Sequence, residues 1–418
     1  MSQGYTRGSC GCQPPTVAKL LAAAKPDTLA AMSLSRILAV KLADIGDVLL
    51  TTPALRALRA RYPTARLEYL TTANGAQALR DSTLVDEVLR FEKGGYDRLG
   101  DTARLAAVRR LSDFALSLRL RGYDAVVLFH HFTTRRGALK LNALLTTTAA
   151  PRRVGLDNGR GWALTERVTD AGFGALHEAE YALQLAMRLD APPTDLALDF
   201  PISAHAHAAA ESLLAPLAEG PRVALFPGSG QYSLARRWPP QAFAAVADAL
   251  QERGVRVILV GRDSDQTGDV VRAMRGSPDL DLTNQGDLAT LGAALARMDV
   301  VLTNDGGPMH IAAAVGTPVV SVFGPSNAEA YGPWDAGQPP QEWPPRSNAP
   351  PSMSRHTLVR LGLGCQPCFY RGHHLGAPQG CATRECLGLL PPRLALEATL
   401  HRLGQAQKIG HPTRMPYA

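Results

Sequence analysis

Apolar runs and amphipathic stretches alternate along the first part of the chain. Residues 37–42 form a short apolar run typical of a buried strand, and leucines recur at helical spacing after Asp47 as far as Arg61. A strand around Leu67, a helix over 105–120 and a strand over 125–129 are predicted to follow. This alternation predicts a parallel sheet covered by helices on both faces, with a ligand crevice at the carboxyl ends of its strands.

The same alternation restarts after Gly220 and Pro221. The predicted strands cover 223–226, 255–260, the run beginning at Val300 and 319–323, and the predicted helices cover 204–217, 241–253, 288–297 and the stretch after Gly307. We therefore predict two Rossmann-like doubly wound domains, at 34–200 and 201–390, which face each other across a cleft. A closing helix and tail at 391–418 follow, and residues 335–353 are predicted to form a long surface loop.

Composition indicates the class of partner. The 418 residues are 45% hydrophobic and 19% charged, as in ordinary globular proteins, and the formal net charge is +7 at pH 7. This charge favours acidic partners such as nucleotides, phosphorylated sugars or an anionic membrane surface. The arginines are dispersed, which argues against nucleic acid as a partner, and no apolar stretch approaches the roughly 20 residues of a membrane span.

Residues 1–33 are predicted to be a loosely ordered extension. Their apolar stretch is short and is interrupted by Lys25, Pro26 and Asp27, which argues against a cleaved export signal, and Met32 is an alternative start. Four of the six cysteines cluster near the other end of the chain, unlike the disulfide framework of a secreted domain. We therefore predict a cytoplasmic protein with peripheral contact at the inner face of the cell membrane.

The most informative stretch of the chain is residues 303–310, TNDGGPMH. It follows an apolar run and leads into a small-residue helix, a geometry that directs free backbone N–H groups at an anion. Asp305 can cap that helix, Gly306 and Gly307 let a ligand approach the backbone, and His310 offers a ring N–H to a phosphate or sugar oxygen. A capped helix with a satisfied histidine is the alternative interpretation.

A carboxylate stands at the end of the first predicted strand. Gly46 allows a sharp turn there, so that Asp47 can project into the crevice and act as a general base at the mouth of a helix. The alternative interpretation is that Asp47 only caps the helix. Asp44 is a nearby rival for either role.

A second candidate phosphate site follows the strand at 223–226. Gly228 and Ser229 offer backbone N–H groups and a hydroxyl to a diphosphate, and the Arg236 guanidinium could neutralise a leaving diphosphate. The alternative is a solvated basic turn anchored by Trp238. Farther along, an Asp-x-Asp pair ends at Asp265; such carboxylates cap helices more often than they bind metal, and they are also well placed to bind ribose hydroxyls.

Near the carboxyl end, Cys365, Cys368, Cys381 and Cys386 form a C-x2-C-x12-C-x4-C cluster. This spacing is compatible with a structural zinc or iron–sulfur site that pins the long loop. Two disulfides or four free thiols are the alternatives.

Four segments in this order, 37–56, 226–239, 261–265 and 303–325, resemble glycosyltransferase family 9, the family of the ADP-heptose:lipopolysaccharide heptosyltransferases. The strand–Gly–Asp–helix turn followed by Thr-Thr-Pro, and the TND-x-GP-x-H motif followed by alanines, are specific in combination. The resemblance implies a GT-B architecture, in which an amino-terminal Rossmann-like domain receives the acceptor and a carboxy-terminal one binds the nucleotide-sugar.

The resemblance also implies roles for individual residues. Asp47 takes the position of the proposed base, Arg236 that of a lysine that contacts the donor phosphates, and Asp265 that of the acid that holds the ribose. The last motif of the family falls on Asp305, Gly306, Gly307 and His310. With Gly228 and Ser229 these residues complete the candidate donor-binding set, and Gly46 and Thr51 are the candidate acceptor-side residues. The chain departs from the family pattern at Gly306, usually Ser or Thr, at Phe226, commonly His, and at Arg236, usually Lys.

The predicted function is that of an inverting, metal-independent glycosyltransferase. It would move a heptose-like sugar from a nucleoside-diphosphate donor such as ADP-heptose to a cell-envelope glycan or lipopolysaccharide-type acceptor. Asp47 would deprotonate the acceptor hydroxyl, while Arg236, Ser229 and the helix N-terminus at Gly306 and Gly307 stabilise the leaving diphosphate. The alternatives are a nucleotide-sugar epimerase or hydrolase, a non-catalytic nucleotide-sugar-binding protein, and a metal-sensing protein built around the cysteines.

Overall fold

The computed structural model describes residues 33–91, 101–230, 232–345 and 352–409. Apart from Ser33, the predicted extension at 1–33 lies outside the described residues, as does the end of the predicted tail beyond residue 409.

Six parallel strands form a sheet in the first half of the chain, in the order β3-β2-β1-β4-β5-β6. The strands are β1 (Arg36–Lys41), β2 (Arg66–Thr71), β3 (Glu87–Arg90), β4 (Ala125–Leu128), β5 (Arg152–Asp157) and β6 (Glu166–Thr169), and the helices are α1 (Ile45–Leu49), α2 (Thr52–Arg61), α3 (Asp101–Leu120), α4 (Arg135–Thr147) and α5 (Glu178–Arg188). β1 lies between β2 and β4, with Ala39 opposite Tyr69 and Val127. Its apolar residues are buried because helices cover both faces of the sheet.

The leucine-rich stretch after Asp47, predicted as one helix, is divided between α1 and α2. Pro53 is the second residue of α2, and it has no N–H with which to continue the helical hydrogen-bond pattern. The Thr52 hydroxyl donates to the Leu49 carbonyl instead, at 2.7 Å. The division leaves Asp47 inside the first turn of the very short α1.

Seven parallel strands form the second sheet, in the order β12-β13-β11-β10-β7-β8-β9. The strands are β7 (Arg222–Phe226), β8 (Arg256–Gly261), β9 (Leu280–Thr283), β10 (Val300–Asn304), β11 (Val319–Val322), β12 (Gln341–Trp343) and β13 (Thr357–Val359), and the helices are α6 (Ala204–Leu214), α7 (Pro240–Gln251), α8 (Thr267–Ala273), α9 (Leu288–Leu295), α10 (Gly307–Ala314), α11 (Ala328–Tyr331), α12 (Glu385–Gly388) and α13 (Pro392–Ile409). The predicted loop at 335–353 contains the short edge strand β12, and the predicted closing helix is α13.

The two halves share one hydrophobic cluster. It joins Leu55 and Tyr69 of the first half to Phe226 and Met309 of the second. Within the described ranges, no helix combines the length and the apolar character that a membrane crossing requires.

Candidate active site

A cleft of about 870 Å³ lies between the carboxyl ends of the two sheets. The turns after β1 and β4 line one side of it, and the turns after β7, β8, β9 and β10 line the other. Parallel strands place their carboxyl ends at the same edge of a sheet, so the predicted motifs converge although they are far apart in the chain.

Asp47 faces this cleft from the first turn of α1. The residue that precedes the helix is Asp44, which makes no side-chain cap, so the interpretation of Asp47 as an N-cap is wrong. The Asp47 side chain is 32% exposed, and its Oδ1 lies 3.7 Å from the Lys41 ammonium. Burial raises the pKa of Asp47 and the Lys41 charge opposes that effect. The carboxylate is thus accessible from the cleft and next to a fixed cation.

Asp305 and Arg236 form an ion pair in the floor of the cleft. The Arg236 Nη1 donates to Asp305 Oδ2 at 3.0 Å, whereas Gly306 occupies the cap position of α10. The prediction that Asp305 caps this helix is therefore wrong. Burial works to lower the pKa of Arg236, but Asp305, Tyr370 and Asp47 together raise it above its usual value, so the guanidinium is charged. Its buried Nε has no hydrogen-bond partner among the described residues.

The turn after β7 is held together by its own side chains. The Ser229 hydroxyl donates to the Ser233 carbonyl at 3.0 Å and accepts from Arg237 Nε at 3.2 Å. Asp265 accepts from the Arg262 backbone N–H at 3.0 Å and lies 3.4 Å from Arg237. The basic turn is packed, not solvated: the Arg236 and Arg237 side chains are each 10% exposed, and Trp238 is fully buried. Ser229 lines the cleft, but its hydroxyl is engaged within the protein.

Gly228 lies directly behind Asp265 and does not line the cleft. A Cβ at this position would come within 2.4 Å of the Asp265 carboxyl, so only glycine fits while Asp265 keeps its place. Gly228 thus positions the carboxylate that faces the cleft.

His310 and Gly46 meet where α10 packs against α1. A Cβ on Gly46 would lie 2.5 Å from the His310 ring, which only glycine avoids. Burial lowers the pKa of His310 to about 4, so the ring is neutral, and its Nδ1 has no partner among the described residues. A buried ring nitrogen and a buried guanidinium nitrogen that both lack partners indicate a polar ligand at this wall.

Thr51 does not line the cleft. It is buried, and its hydroxyl is 2.7 Å from the Val48 carbonyl and 2.8 Å from the Tyr69 hydroxyl. These two contacts stabilise the break between α1 and α2.

The four clustered cysteines are free thiols. Cys365 and Cys381 are exposed, whereas burial raises the pKa of the Cys386 thiol to about 11. Among the residues that the structure describes, no group of three or more His, Cys, Asp or Glu side chains is arranged to hold a metal ion. The predicted metal-ligand set is therefore not assembled among the described residues.

Sequence reasoning missed several residues around Asp47. Lys41, His131, Asp170 and Glu178 form a row of buried charges behind it, and three aromatic residues line the adjoining wall: Phe173, Tyr331 and Tyr370. Lys41 ends an apolar strand and His131 follows one, and a polar residue at such a position can be recognised in the sequence as a site candidate. Asp170 and Glu178 carry no such signal.

Comparison of the sequence with known proteins identifies one family. The chain matches the model of glycosyltransferase family 9 (heptosyltransferase) over residues 112–376. It is 26% identical over 313 residues to lipopolysaccharide heptosyltransferase 2 of Salmonella typhimurium, which covers 70% of this chain and 84% of that protein.

Two solved structures share the fold. The ADP-heptose lipopolysaccharide heptosyltransferase II of E. coli has a TM-score of 0.64 at 21% identity and covers 89% of this chain and 99% of its own. A family 9 glycosyltransferase of Veillonella parvula has a TM-score of 0.67 at 22% identity, with 90% and 99% coverage. The predicted GT-B architecture is confirmed. With the family model matched over more than half of its length, this chain belongs to glycosyltransferase family 9, the heptosyltransferase family, and is a glycosyltransferase.

Proposed function

We propose that this enzyme transfers a heptose from ADP-heptose to a sugar hydroxyl of a lipopolysaccharide-type acceptor, with inversion at the anomeric carbon. One observation carries the proposal: a family 9 chain brings Asp47, Arg236 and the amino end of α10 to opposite walls of one cleft. Two of the relatives named above, those of Salmonella typhimurium and E. coli, are heptosyltransferases of lipopolysaccharide.

The second half of the chain supplies the donor site in this proposal. The diphosphate lies between Arg236, His310 and the backbone N–H groups at Gly306 and Gly307, where helix-end donors and a guanidinium stabilise the charge that develops on the leaving group. Asp265 accepts hydrogen bonds from the ribose. The sequence predicted that the Ser229 hydroxyl binds the diphosphate. In this proposal that hydroxyl instead holds the turn and Arg237 in place, and the other groups bind the phosphate.

Asp47 is the general base on the acceptor side. It takes the proton of the acceptor hydroxyl as that oxygen attacks the anomeric carbon, and the bond to the diphosphate breaks in the same displacement. Gly46 allows His310, beside the donor, to approach the turn that carries Asp47. The protein's own cationic and N–H groups neutralise the leaving group, so the transfer proceeds without a step assigned to a metal.

Donor selectivity is expected to appear as thermal stabilisation. A ligand that binds only the native state at 100 times its dissociation constant adds about 2.7 kcal/mol of stability. ADP-heptose should therefore raise the melting temperature of the enzyme by more than UDP- or GDP-sugars at equal concentration. Differential scanning fluorimetry measures this directly.

Two variants sharpen that experiment. Asp47→Asn should keep the stabilisation, because Asp47 lies on the acceptor side. Gly307→Ala should lose most of the stabilisation, because the added methyl group stands where the diphosphate approaches the backbone. The protein itself has room for this methyl group, since Ile45 Cβ is 3.9 Å away, so the variant should fold. Equal stabilisation by a UDP-sugar would contradict the assigned donor, and rapid turnover of ADP-heptose without acceptor would favour a hydrolase or epimerase.

We infer that the enzyme reaches its acceptor at an anionic membrane through helices α3 and α4. At about 100° per residue, Arg109, Leu116 and Leu120 project within about 40° of one another, on the side opposite the buried Leu118. Leu116 and Leu120 are 54% and 75% exposed. The face that we call the α3–α4 face consists of exposed residues of the two helices: Arg109, Asp113, Leu116, Arg119, Leu120, Arg135, Arg136, Leu139 and Lys140.

Charge and position both suit this face to a bilayer. It carries five basic side chains and three leucines against one carboxylate, Asp113, a composition that attracts anionic headgroups and inserts apolar side chains between them. α4 begins at Arg135, two residues after Thr133, which lines the cleft. Contact along this face would bring a membrane-anchored acceptor to the Asp47 side.

The double variant Arg109→Gln, Arg119→Gln is expected to bind anionic vesicles about 30-fold more weakly, at about 1 kcal/mol for each basic residue near the surface. Co-sedimentation with phosphatidylglycerol vesicles at low salt measures the change. The matched control Arg253→Gln, Arg393→Gln removes two exposed arginines from the other half of the chain and should bind as the wild type does. Equal losses in both double variants would contradict a specific face.

A further inference from the structure

Four buried charged side chains lead away from Asp47 into the first half of the protein. Lys41 Nζ lies 3.7 Å from Asp47 and 3.4 Å from Glu178. His131 stands between Glu178, at 2.8 Å from its Nε2, and Asp170, at 2.9 Å from its Nδ1. Negative and positive groups therefore alternate along the row from Asp47 to Asp170.

The sheet topology brings these four groups together. Lys41 ends β1, His131 follows β4, Asp170 follows β6, and Glu178 is the first residue of α5. Each exposes 7% or less of its side chain. Burying charged groups is costly even when they are paired, and apolar residues of similar volume often give equal or greater stability. A row of this kind next to a reacting carboxylate therefore calls for an explanation beyond stability.

The two central members of the row, His131 and Glu178, are both charged. Burial works to lower the pKa of His131, but Glu178 and Asp170 raise it to about 9, so both ring nitrogens donate. Burial works to raise the pKa of Glu178, but His131 and Lys41 lower it to about 2. Glu178 is thus an anion that competes with Asp47 for the Lys41 ammonium.

Other elements also present polar groups to the two ends of the row. Asp44, in the same turn, raises the pKa of Asp47, and Arg236, on the opposite wall, lowers it. The Asp47 charge in turn raises the pKa of three nearby tyrosines: Tyr69, Tyr331 and Tyr370. Near the middle, His177 precedes Glu178 and also works to lower its pKa. At the far end, Asp170 lies 3.3 Å from His373 Nε2 and accepts from the Gly172 N–H at 2.9 Å.

We propose that Glu178, held by His131, is a positioning residue that keeps the Lys41 ammonium shared between two carboxylates and thereby sets how strongly Asp47 binds a proton. This rests on the proposed role of Asp47 as the base. If Lys41 paired with Asp47 alone, the carboxylate would be stabilised and would be a weaker base. If Lys41 were absent, burial would keep Asp47 protonated to higher pH.

The test is the pH dependence of kcat/KM in two variants that change opposite ends of this balance. Glu178→Gln frees Lys41 to pair with Asp47, so the acidic limb of the profile should move to lower pH by about one unit, with a lower plateau. Lys41→Met removes the cation, so the acidic limb should move to higher pH by a similar amount. A purely structural role would lower the rate without moving either limb.

A matched control is Glu180→Gln, two residues along α5. Glu180 accepts from the His177 backbone N–H at 2.9 Å, and the amide oxygen of glutamine can accept the same bond, so its profile should match the wild type. If Glu178→Gln does not fold, Glu178→Asp retains the charge but withdraws it from Lys41, and a smaller shift in the same direction is expected.

An acidic limb that stays in place in Glu178→Gln and in Glu178→Asp would overturn the proposal. That result differs from a failure of the proposed function. If Asp47 were not the base, Asp47→Asn would retain turnover in the same assay, whatever the profile of the Glu178 variants.

Discussion

Asp47→Asn is expected to lower turnover by about 10²- to 10⁴-fold, the usual contribution of a general base. Asparagine keeps the size of the side chain but cannot accept the proton of the acceptor hydroxyl. Lys41 would remain 3.4 Å from Glu178, so the fold should be retained. Steady-state assays of transfer from ADP-heptose, together with donor binding by thermal shift, measure both properties.

Asp44→Asn is the matched control for this experiment. Asp44 is three residues away, is exposed, and accepts a hydrogen bond from Asn74 Nδ2 at 3.0 Å. Its substitution should leave turnover within a few-fold of the wild type. A large loss in Asp44→Asn with near-normal turnover in Asp47→Asn would assign the base to Asp44 instead.

His131→Gln is expected to reduce the free energy of unfolding by about 3–5 kcal/mol at pH 6, because two buried carboxylates then lose the cation between them. The folded pKa of His131 is about 9, against 6.5 for an ordinary histidine. A raised pKa stabilises the folded state fully below about pH 6.5, and this contribution is lost as the pH rises through about 9. The difference between wild type and variant should therefore shrink between pH 6 and pH 9.5.

Urea denaturation at both pH values measures this difference. His205→Gln, which replaces an exposed histidine, is the control and should unfold as the wild type does at each pH. A wild-type advantage that is the same at pH 6 and pH 9.5 would show that His131 stabilises the fold by packing alone.

Local pattern was sufficient for the central strands and for most helices. β1, β7 and β10 are buried on both faces, so each appears in the sequence as a continuous apolar run. The outer strands β6 (Glu166–Thr169) and β9 (Leu280–Thr283) contain charged residues and were not predicted. Such strands owe their conformation to hydrogen bonds with a neighbour that is distant in the chain, and no local pattern records that neighbour.

The candidate site shows the same division. The motifs located Asp47, Arg236, Asp265 and the 303–310 turn, because strand ends and glycine turns are local features. They did not predict that Asp305 pairs with Arg236, 69 residues away, or that Gly306 takes the cap position instead.

The motif comparison does not explain why position 306 is glycine in this chain. A Cβ there would lie 3.5 Å from Phe226, an ordinary contact, so the site has room for the Ser or Thr usual in the family. Steric crowding therefore does not explain why this chain has glycine at position 306.

By itself, the sequence determined the α/β class, the two-sheet organisation, the family and most of the candidate residues that line the cleft, since each depends on spacing within a short segment. Only the tertiary structure decided which charges meet: Lys41, His131, Asp170 and Glu178 come from different parts of the first half and become one row behind Asp47. The physical reason is that hydrophobic periodicity specifies which face of an element is buried, whereas the partner of a buried charge is chosen by strand order and by packing across the sheet.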